Sequence, residues 1–326
     1  MGSYILRRLL YAIPILVGVN VLTFFLFFVV NTPDSMARMH LGMKHVTPEA
    51  IQSWKIDHGY DVPLFFNSKK TGVDSLKETI FFRKSMSLFV FRFGESDQGR
   101  DIGDDIRHRM WPSLAIQIPV FFLGMAVYIS FALLMVFFRG TYLDTGGVIL
   151  CVILMSISGM FYIIGGQYLF GKLLHLTPIS GYQPGWSSIA FVALPVIVGV
   201  VGGIGGSSRW YRTLFLEEAG KDYVRTAWAK GLGDVRVLFV HVLKNGMVPI
   251  LTGAVSVLPL LFMGALVLES FFGIPGLGSY TIDAIQSQDF AIVRAIVFLG
   301  TCLYILGLLM TDLSYSLVDP RVRLEG

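Results

Sequence analysis

Six long apolar stretches constrain this chain more than any other feature. They run roughly Leu9–Val30, Trp111–Phe138, Gly146–Gly171, Ser188–Gly206, Pro249–Phe271 and Ala291–Ser314. A helix needs about 20 apolar residues to cross the hydrocarbon core of a bilayer. Lipid offers the backbone no hydrogen-bond partner, so each crossing has to satisfy its own N–H and C=O groups. The pattern predicts an all-α polytopic membrane protein with six transmembrane helices, a large outer loop and a helix on the cytoplasmic side. Only 15% of the 326 residues are charged, against about 25% in an ordinary soluble protein. The basic balance is no sign of nucleic acid, because the Lys and Arg residues sit beside apolar spans. Cys151 and Cys302 both fall inside apolar runs, which argues against a disulfide or a metal site.

The placement of Lys and Arg orients the spans. Arg7 and Arg8 precede the first, and Arg139 lies between the second and third. Arg209, Arg212, Lys221, Arg225, Lys230, Arg236 and Lys244 lie between the fourth and fifth, and Arg321 and Arg323 follow the sixth. The opposite short loops, His175–Ser187 and Gly273–Phe290, contain neither residue type. The asymmetry predicts that both termini and the Arg209–Lys244 segment face the cytoplasm. Lys172 and Arg294 sit at the outer ends of spans three and six, from which long side chains can snorkel to the interface. The first apolar run is too long for a signal-peptide core of about 7–15 residues, so it reads as an uncleaved anchor.

The chain then divides into a cytoplasmic start with the first span (1–30), an extracytoplasmic loop (31–109) and a five-helix core (110–326) with a cytoplasmic loop at 207–248. The outer loop carries a helix-start signal at Thr47-Pro48-Glu49. Its aromatic content, including Trp54, Tyr60, Phe65, Phe66 and the Phe89–Phe93 cluster, suits an ordered cap rather than a disordered linker.

The cytoplasmic loop reads as two short helices with a break. Glu217–Lys230 has good helix formers and acids near its start, and Gly231 follows as a stop. Ala227, Ala229 and Gly231 offer small surfaces for a close partner, and Arg225 and Lys230 offer charge-assisted contacts. The residues alone fit equally well an interfacial amphipathic helix on anionic lipid.

Asp222-Tyr223-Val224-Arg225-Thr226-Ala227-Trp228-Ala229-Lys230-Gly231-Leu232 resembles the cytoplasmic coupling loop of ABC-importer permease subunits, in the form found in the peptide-importer branch. The general Glu-Ala-Ala of that loop falls here on Arg225-Thr226-Ala227, a departure that the peptide branch shares. Other landmarks follow in the same order. They are Tyr4-Ile5-Leu6-Arg7-Arg8-Leu9, Asp61-Val62-Pro63-Leu64, Phe93-Gly94-Glu95-Ser96, Pro275-Gly276-Leu277-Gly278, and Asp312 and Tyr315 with Asp319-Pro320-Arg321-Val322-Arg323. Span three departs by having Ser158-Gly159 where the branch often has proline, and the outer loop carries an extra stretch near Ser68–Ser87.

The resemblance implies a permease subunit in the bacterial inner membrane, forming half of an alternating-access pathway for di- or oligopeptides. It implies four kinds of partner: a homologous second permease, two cytoplasmic ATPases, an extracytoplasmic substrate-binding protein and membrane lipid. It further implies that Asp222, Tyr223, Arg225, Thr226, Ala227, Ala229, Lys230 and Gly231 couple the chain to the ATPases, with Ala227 packed against an ATPase groove. The same machine carrying nickel chelates, glutathione or peptide-like antibiotics is the alternative cargo reading.

No phosphate-cradling Gly-x-x-x-x-Gly-Lys-Ser/Thr occurs, so ATP and Mg are expected to be used by the partner ATPases and no cofactor by this chain. No Ser/His or Cys/His arrangement supports an intramembrane enzyme, and no acid at mid-span supports a secondary transporter. Glu269, Arg294 and Asp312 are candidate structural or pathway charges, and Arg294 is a conceivable partner for Glu269. Gly199, Gly202, Gly203, Gly205 and Gly206 suit close helix packing, and Pro14, Pro119, Pro195 and Pro259 can kink their spans.

Cysteine labelling from outside intact cells is expected to modify substitutions at Gln183 and Ser279 and to spare those at Arg139 and Lys221. Ready labelling at Lys221 would reverse the orientation.

Overall fold

The computed structural model describes residues 2–42, 46–68, 70, 72 and 74–318, without the side chains of 2–5 and 315–318. The Asp319–Arg323 landmark, together with Lys69, Thr71 and Val73, lies outside the described residues. In chain order the helices are α1 (Gly2–Phe24), α2 (Pro33–Leu41), α3 (Pro48–Asp57), α4 (Asp74–Lys77) and α5 (Ile80–Ser85). There follow α6 (Ile102–Phe137), α7 (Tyr142–Ser156), α8 (Gly159–Gly166), α9 (Ser188–Ala219) and α10 (Asp222–Ala229). The last five are α11 (Asp234–Val237), α12 (Lys244–Val257), α13 (Leu266–Phe272), α14 (Leu277–Ser287) and α15 (Phe290–Val318). The described residues contain no strand, and their one isolated β-bridge joins Glu95 and Asp101.

Among the described residues, five helical segments are long and apolar enough to cross a membrane: Leu6–Val30, Ile102–Phe137, Ser188–Ala219, Asp234–Met263 and Phe290–Ser314. A bent pair, Tyr142–Ser156 and Gly159–Leu173, supplies a sixth crossing if counted as one span. Large apolar side chains such as Phe161, 70% exposed, cover these helices. Lipid solvates such a surface, whereas water would penalise it.

Two expected spans are corrected. The third is not one straight helix from Gly146 to Gly171, because α7 and α8 meet at 89°. Ile157 and Ser158 both take extended backbone angles, which ends α7. Tyr162 Oη donates to Leu154 O at 2.7 Å and so occupies a carbonyl near the break. The fifth span runs Asp234–Met263 rather than Pro249–Phe271. Its helix winds through His241 and Lys244, and it stops at Gly264, whose φ is +71°. Span four also continues past Gly206 to Ala219, carrying Arg209 and Arg212 within the helix.

Contacts divide the chain into two compact units, Met1–His108 with Asp283–Ile305, and Arg109–Ile282 with Leu306–Arg323. In the first, Thr32, Thr47 and Thr79 accept from the amides of Ser35, Ala50 and Phe82 and so start α2, α3 and α5. Proline at the first turn of α2 and α3 forfeits no bond, since that N–H has no helical partner. Phe24, Phe28, Met36, Tyr60 and Ile80 form the core of this unit, with Trp54, Val62, Leu64 and Phe81 packed on it. Burying Met36 or Ile80 contributes about 1.5–3 kcal/mol each. Ile80 and Ser85, both buried, come from the stretch that reads in the sequence as an extra insertion. It is part of the core rather than an appendage. Arg294 does not snorkel. It is 4% exposed, with its guanidinium over the Phe28 ring at 4.9 Å.

In the second unit α9 packs against α7 and α8. A side chain at Gly205 would strike the Cys151 carbonyl oxygen of α7, and one at Gly199 or Gly203 would strike Val120 or Tyr128 of α6. Of the glycines crowded there, these three are the close-approach positions, and Gly206 has open space beside it. Tyr128 Oη donates to Val200 O at 2.9 Å. Arg212 donates two 2.9 Å bonds to the Asp144 carboxylate, joining α9 to the start of α7. Arg212 is thus more than a topology signal.

Glu269 is fully buried, and the ion pairs of the described residues do not include it. Its carboxylate accepts from the amides of Ala265 at 3.0 Å, Gly278 at 2.8 Å and Ser279 at 3.2 Å. Beside it Ser113 Oγ accepts from Leu277 N at 2.8 Å. Side chains at Gly264 or Gly276 would collide with the ends of the Glu269 and Ser113 side chains and displace them, and at Gly264 the φ of +71° adds strain. Pro275-Gly276-Leu277-Gly278 therefore leads into the start of α14 around a buried carboxylate. Arg294 has its own partner, donating from Nη2 to Ser85 Oγ at 2.7 Å. Asp312 lies half-buried in α15. Ser279 is 8% exposed, so a cysteine there is shielded, and the exposed Gln286 replaces it as a labelling position.

Glu269→Gln is expected to lower stability by about 1–3 kcal/mol, because an amide N–H₂ then faces backbone N–H donors. A thermal melt of the purified chain in detergent measures this. An unchanged midpoint would show that the carboxylate does not hold the loop.

Candidate functional site

Helix α10 begins at Asp222, whose acid suits the helix N-terminus. It ends in a complete Schellman turn. Gly231 N donates to Trp228 O at 2.8 Å, and Leu232 N donates to Ala227 O at 3.3 Å. Gly231 takes φ +77° with no atom near the place of a side chain. Its requirement for glycine is therefore conformational, not steric. Trp228 Nε1 donates to Asp234 Oδ1 at 3.1 Å and ties α10 to α11 across the turn.

The helix has two faces. Val224 and Ala227 are buried, 0% and 4% exposed, in a core with Phe215 of α9, Val237, Leu238 and Val242, and Leu133 and Val136 of α6. Asp222, Tyr223, Arg225, Thr226, Ala229 and Lys230 are exposed. This corrects the role expected of Ala227. Its methyl group packs inside the chain, so it cannot be a direct contact for a docked protein. The spacing of Val224 and Ala227, three apart beside the Leu232 of the turn, carried that signal.

A polar network fixes the helix to its neighbours. Tyr223 Oη donates to the Glu218 carboxylate at the end of α9, and Lys221 Nζ pairs with Glu218 at 2.5 Å. Asn245 Nδ2 of α12 donates to Tyr223 Oη at 3.0 Å and to His241 O at 2.9 Å. Partial burial, with the Glu218 carboxylate second, pushes the Tyr223 phenol up to about 12, so it stays a donor at neutral pH. Glu218 and Asn245 were not singled out in the sequence, and a short-range motif gives no sign of them. The Arg225–Asp222 pair at 3.5 Å is open to solvent and contributes little to stability. Arg225 is therefore available to a partner.

The arrangement is a short helix seated on an apolar core, clamped to α9 and α12 by Tyr223, with a polar face outward. Through Tyr223 its position is tied to both of those helices.

Over residues 2–324 the chain matches the family described as Binding-protein-dependent transport system inner membrane component. It is 28% identical to a putative peptide transport system permease protein of Brucella abortus, over 100% of both chains. It is 29% identical to a probable peptide ABC transporter permease protein of Sinorhizobium fredii, over 99% of this chain and 100% of that one. With the dipeptide transport system permease protein of Escherichia coli it shares 28% identity over 99% of each.

Ala227→Trp is expected to destabilise the chain itself, since overpacking a core costs about 1–3 kcal/mol. Arg225→Glu and Ala229→Trp on the exposed face should stay within about 0.5 kcal/mol of the parent. Thermal melts of the three variants in one detergent check this. An unaltered melt for Ala227→Trp would take Ala227 out of the core.

Proposed function

The chain belongs to the family of binding-protein-dependent transport system inner membrane components, and from that premise we propose how it works and what it carries. It is a transport subunit embedded in the membrane, and its proposed cargo is a di- or oligopeptide. The names of its full-length relatives support this cargo. The chain forms half of the pathway and a homologous permease forms the other half. An extracytoplasmic binding protein delivers cargo. Two cytoplasmic ATPases bind and hydrolyse ATP with Mg, and this chain itself hydrolyses nothing. The distribution of Lys and Arg supports cytoplasmic termini and a cytoplasmic α10.

The observation that carries the mechanism is the two-faced α10. Its Val224 and Ala227 are locked into the chain's own core, while Arg225, Thr226, Ala229 and Lys230 are exposed. Closure of the ATPases displaces this face. Tyr223 passes the displacement to α9 through Glu218 and to α12 through Asn245. The pathway then opens alternately to the two sides of the membrane. A helix lying on lipid accounts less well for the same geometry, because Val224 and Ala227 face protein rather than the bilayer.

Arg225→Glu and Ala229→Trp are expected to reach the membrane and melt normally, yet to lose most ATPase co-purification and uptake of labelled dialanine. Normal co-purification and uptake by both would remove α10 as the docking face. Uptake of a nickel chelate or glutathione without dialanine would replace the peptide cargo.

A further inference from the structure

The first unit holds a cavity of about 350 Å³, within the usual range for small-molecule sites, about 300–1,000 Å³. Its charged and phenolic lining is Tyr60, Arg83, Lys84, Arg92, Glu95 and Arg294. Four cations thus face one carboxylate. Among the described residues none of the four enters an ion pair, the recorded pairs being formed by other side chains.

Arg294 is the unusual member. It is 4% exposed, its Nη2 is held by Ser85 Oγ at 2.7 Å, and its Nε is buried without a hydrogen-bond partner. Its guanidinium lies over Phe28 at 4.9 Å and Phe24 at 5.8 Å, which fixes the plane of the group. Lys84 Nζ sits over the Tyr60 ring at 5.2 Å.

The nearby carboxylates of Asp97 and Asp289 make their recorded bonds outside the cavity lining, although Asp97 and Glu95 also act on Lys84 through space. Asp97 pairs with His40 at 3.0 Å, and Asp289 accepts from Asp97 N at 2.8 Å and Ile292 N at 3.2 Å. Burial and the adjacent Arg294 hold the Lys84 ammonium below its ordinary range. A guanidinium fixed between aromatic rings, lining a cavity with a surplus of positive charge, is suited to a planar anion.

We propose that this cavity is a carboxylate-binding subsite, with Arg294 as its floor and Lys84 and Arg92 as its walls, and that it takes the terminal carboxylate of a small peptide. The identity of the ligand rests on the peptide reading above. The existence of an anion site rests on the geometry alone. The site would hold an arriving peptide by one end and leave its side chains free, so it would distinguish a free acid from its amide and tolerate varied sequences. The Glu95 carboxylate at the rim repels a second acid, which favours a ligand with a single carboxylate.

The full chain in phosphatidylcholine nanodiscs, titrated calorimetrically with dialanine and with dialaninamide, tests the site. Dialanine is expected to bind at least about tenfold more tightly than its amide, a ratio that matches one charge-assisted bond. Lys84→Met and Arg92→Ser should weaken dialanine and leave the amide unchanged. They stand beside Arg294→Met, whose buried position can affect folding. Equal affinity for acid and amide overturns the subsite. So does loss of dialanine binding in discs containing phosphatidylglycerol, which would assign the cavity to a lipid phosphate. Dialanine uptake by cells is measured separately. Absent uptake with acid-selective binding removes the peptide importer and keeps the carboxylate site. Uptake with no acid selectivity keeps the importer and removes the site.

Discussion

Lipid supplies no hydrogen-bond partners, and nearly every feature of this chain answers to that constraint. Its crossings are helices, which satisfy their own backbone. Where a helix breaks within an apolar stretch, a side chain takes over. Tyr162 bonds the Leu154 carbonyl beside the α7–α8 bend. The turn after Gly264 is held by Glu269, whose carboxylate collects three backbone amides. A carboxylate buried without those donors would cost several kcal/mol. With them it becomes the anchor of an irregular segment.

The same rule explains why polar side chains are grouped rather than dispersed. In the second unit one group lies around α10, where Glu218, Lys221, Tyr223 and Asn245 bond one another. The apolar partner of that group is the core formed by Phe215, Val224, Ala227, Val237 and Val242. Both parts hold α10 in place. The apolar seat gives it a fixed position, and the polar clamp connects it to long helices. In the first unit the grouping gathers positive charge around a buried arginine that aromatic rings hold in place.

Glycine has several distinct uses here, and residue type alone does not separate them. Gly231 is needed for its left-handed backbone, with open space around it. Gly264 and Gly276 are needed because Glu269 and Ser113 occupy the volume a side chain would fill. Gly205 lets α9 approach the backbone of α7. A substitution scan would therefore separate them: asparagine suits the first kind of site, which tolerates a left-handed polar residue, and a side chain at the others would displace what already fills the space.

The sequence by itself determined the helical class, the approximate spans, the family landmarks and the stop at Gly231. These follow from local quantities: apolar run length, charge placement and the conformational freedom of one residue. It did not determine the bend between α7 and α8, the shift of span five, the burial of Ala227 or the separate partners of Glu269 and Arg294. A run of apolar residues looks the same whether it is straight or bent, since hydropathy carries no backbone angle. Alanine is equally small on a docking face and in a core, and only the neighbours contributed by α6, α9 and α12 decide which. Glu269 reads as a membrane charge until the amides nine and ten residues away fold back onto it. Those decisions belong to tertiary structure because they depend on which distant groups reach the same few ångströms of space.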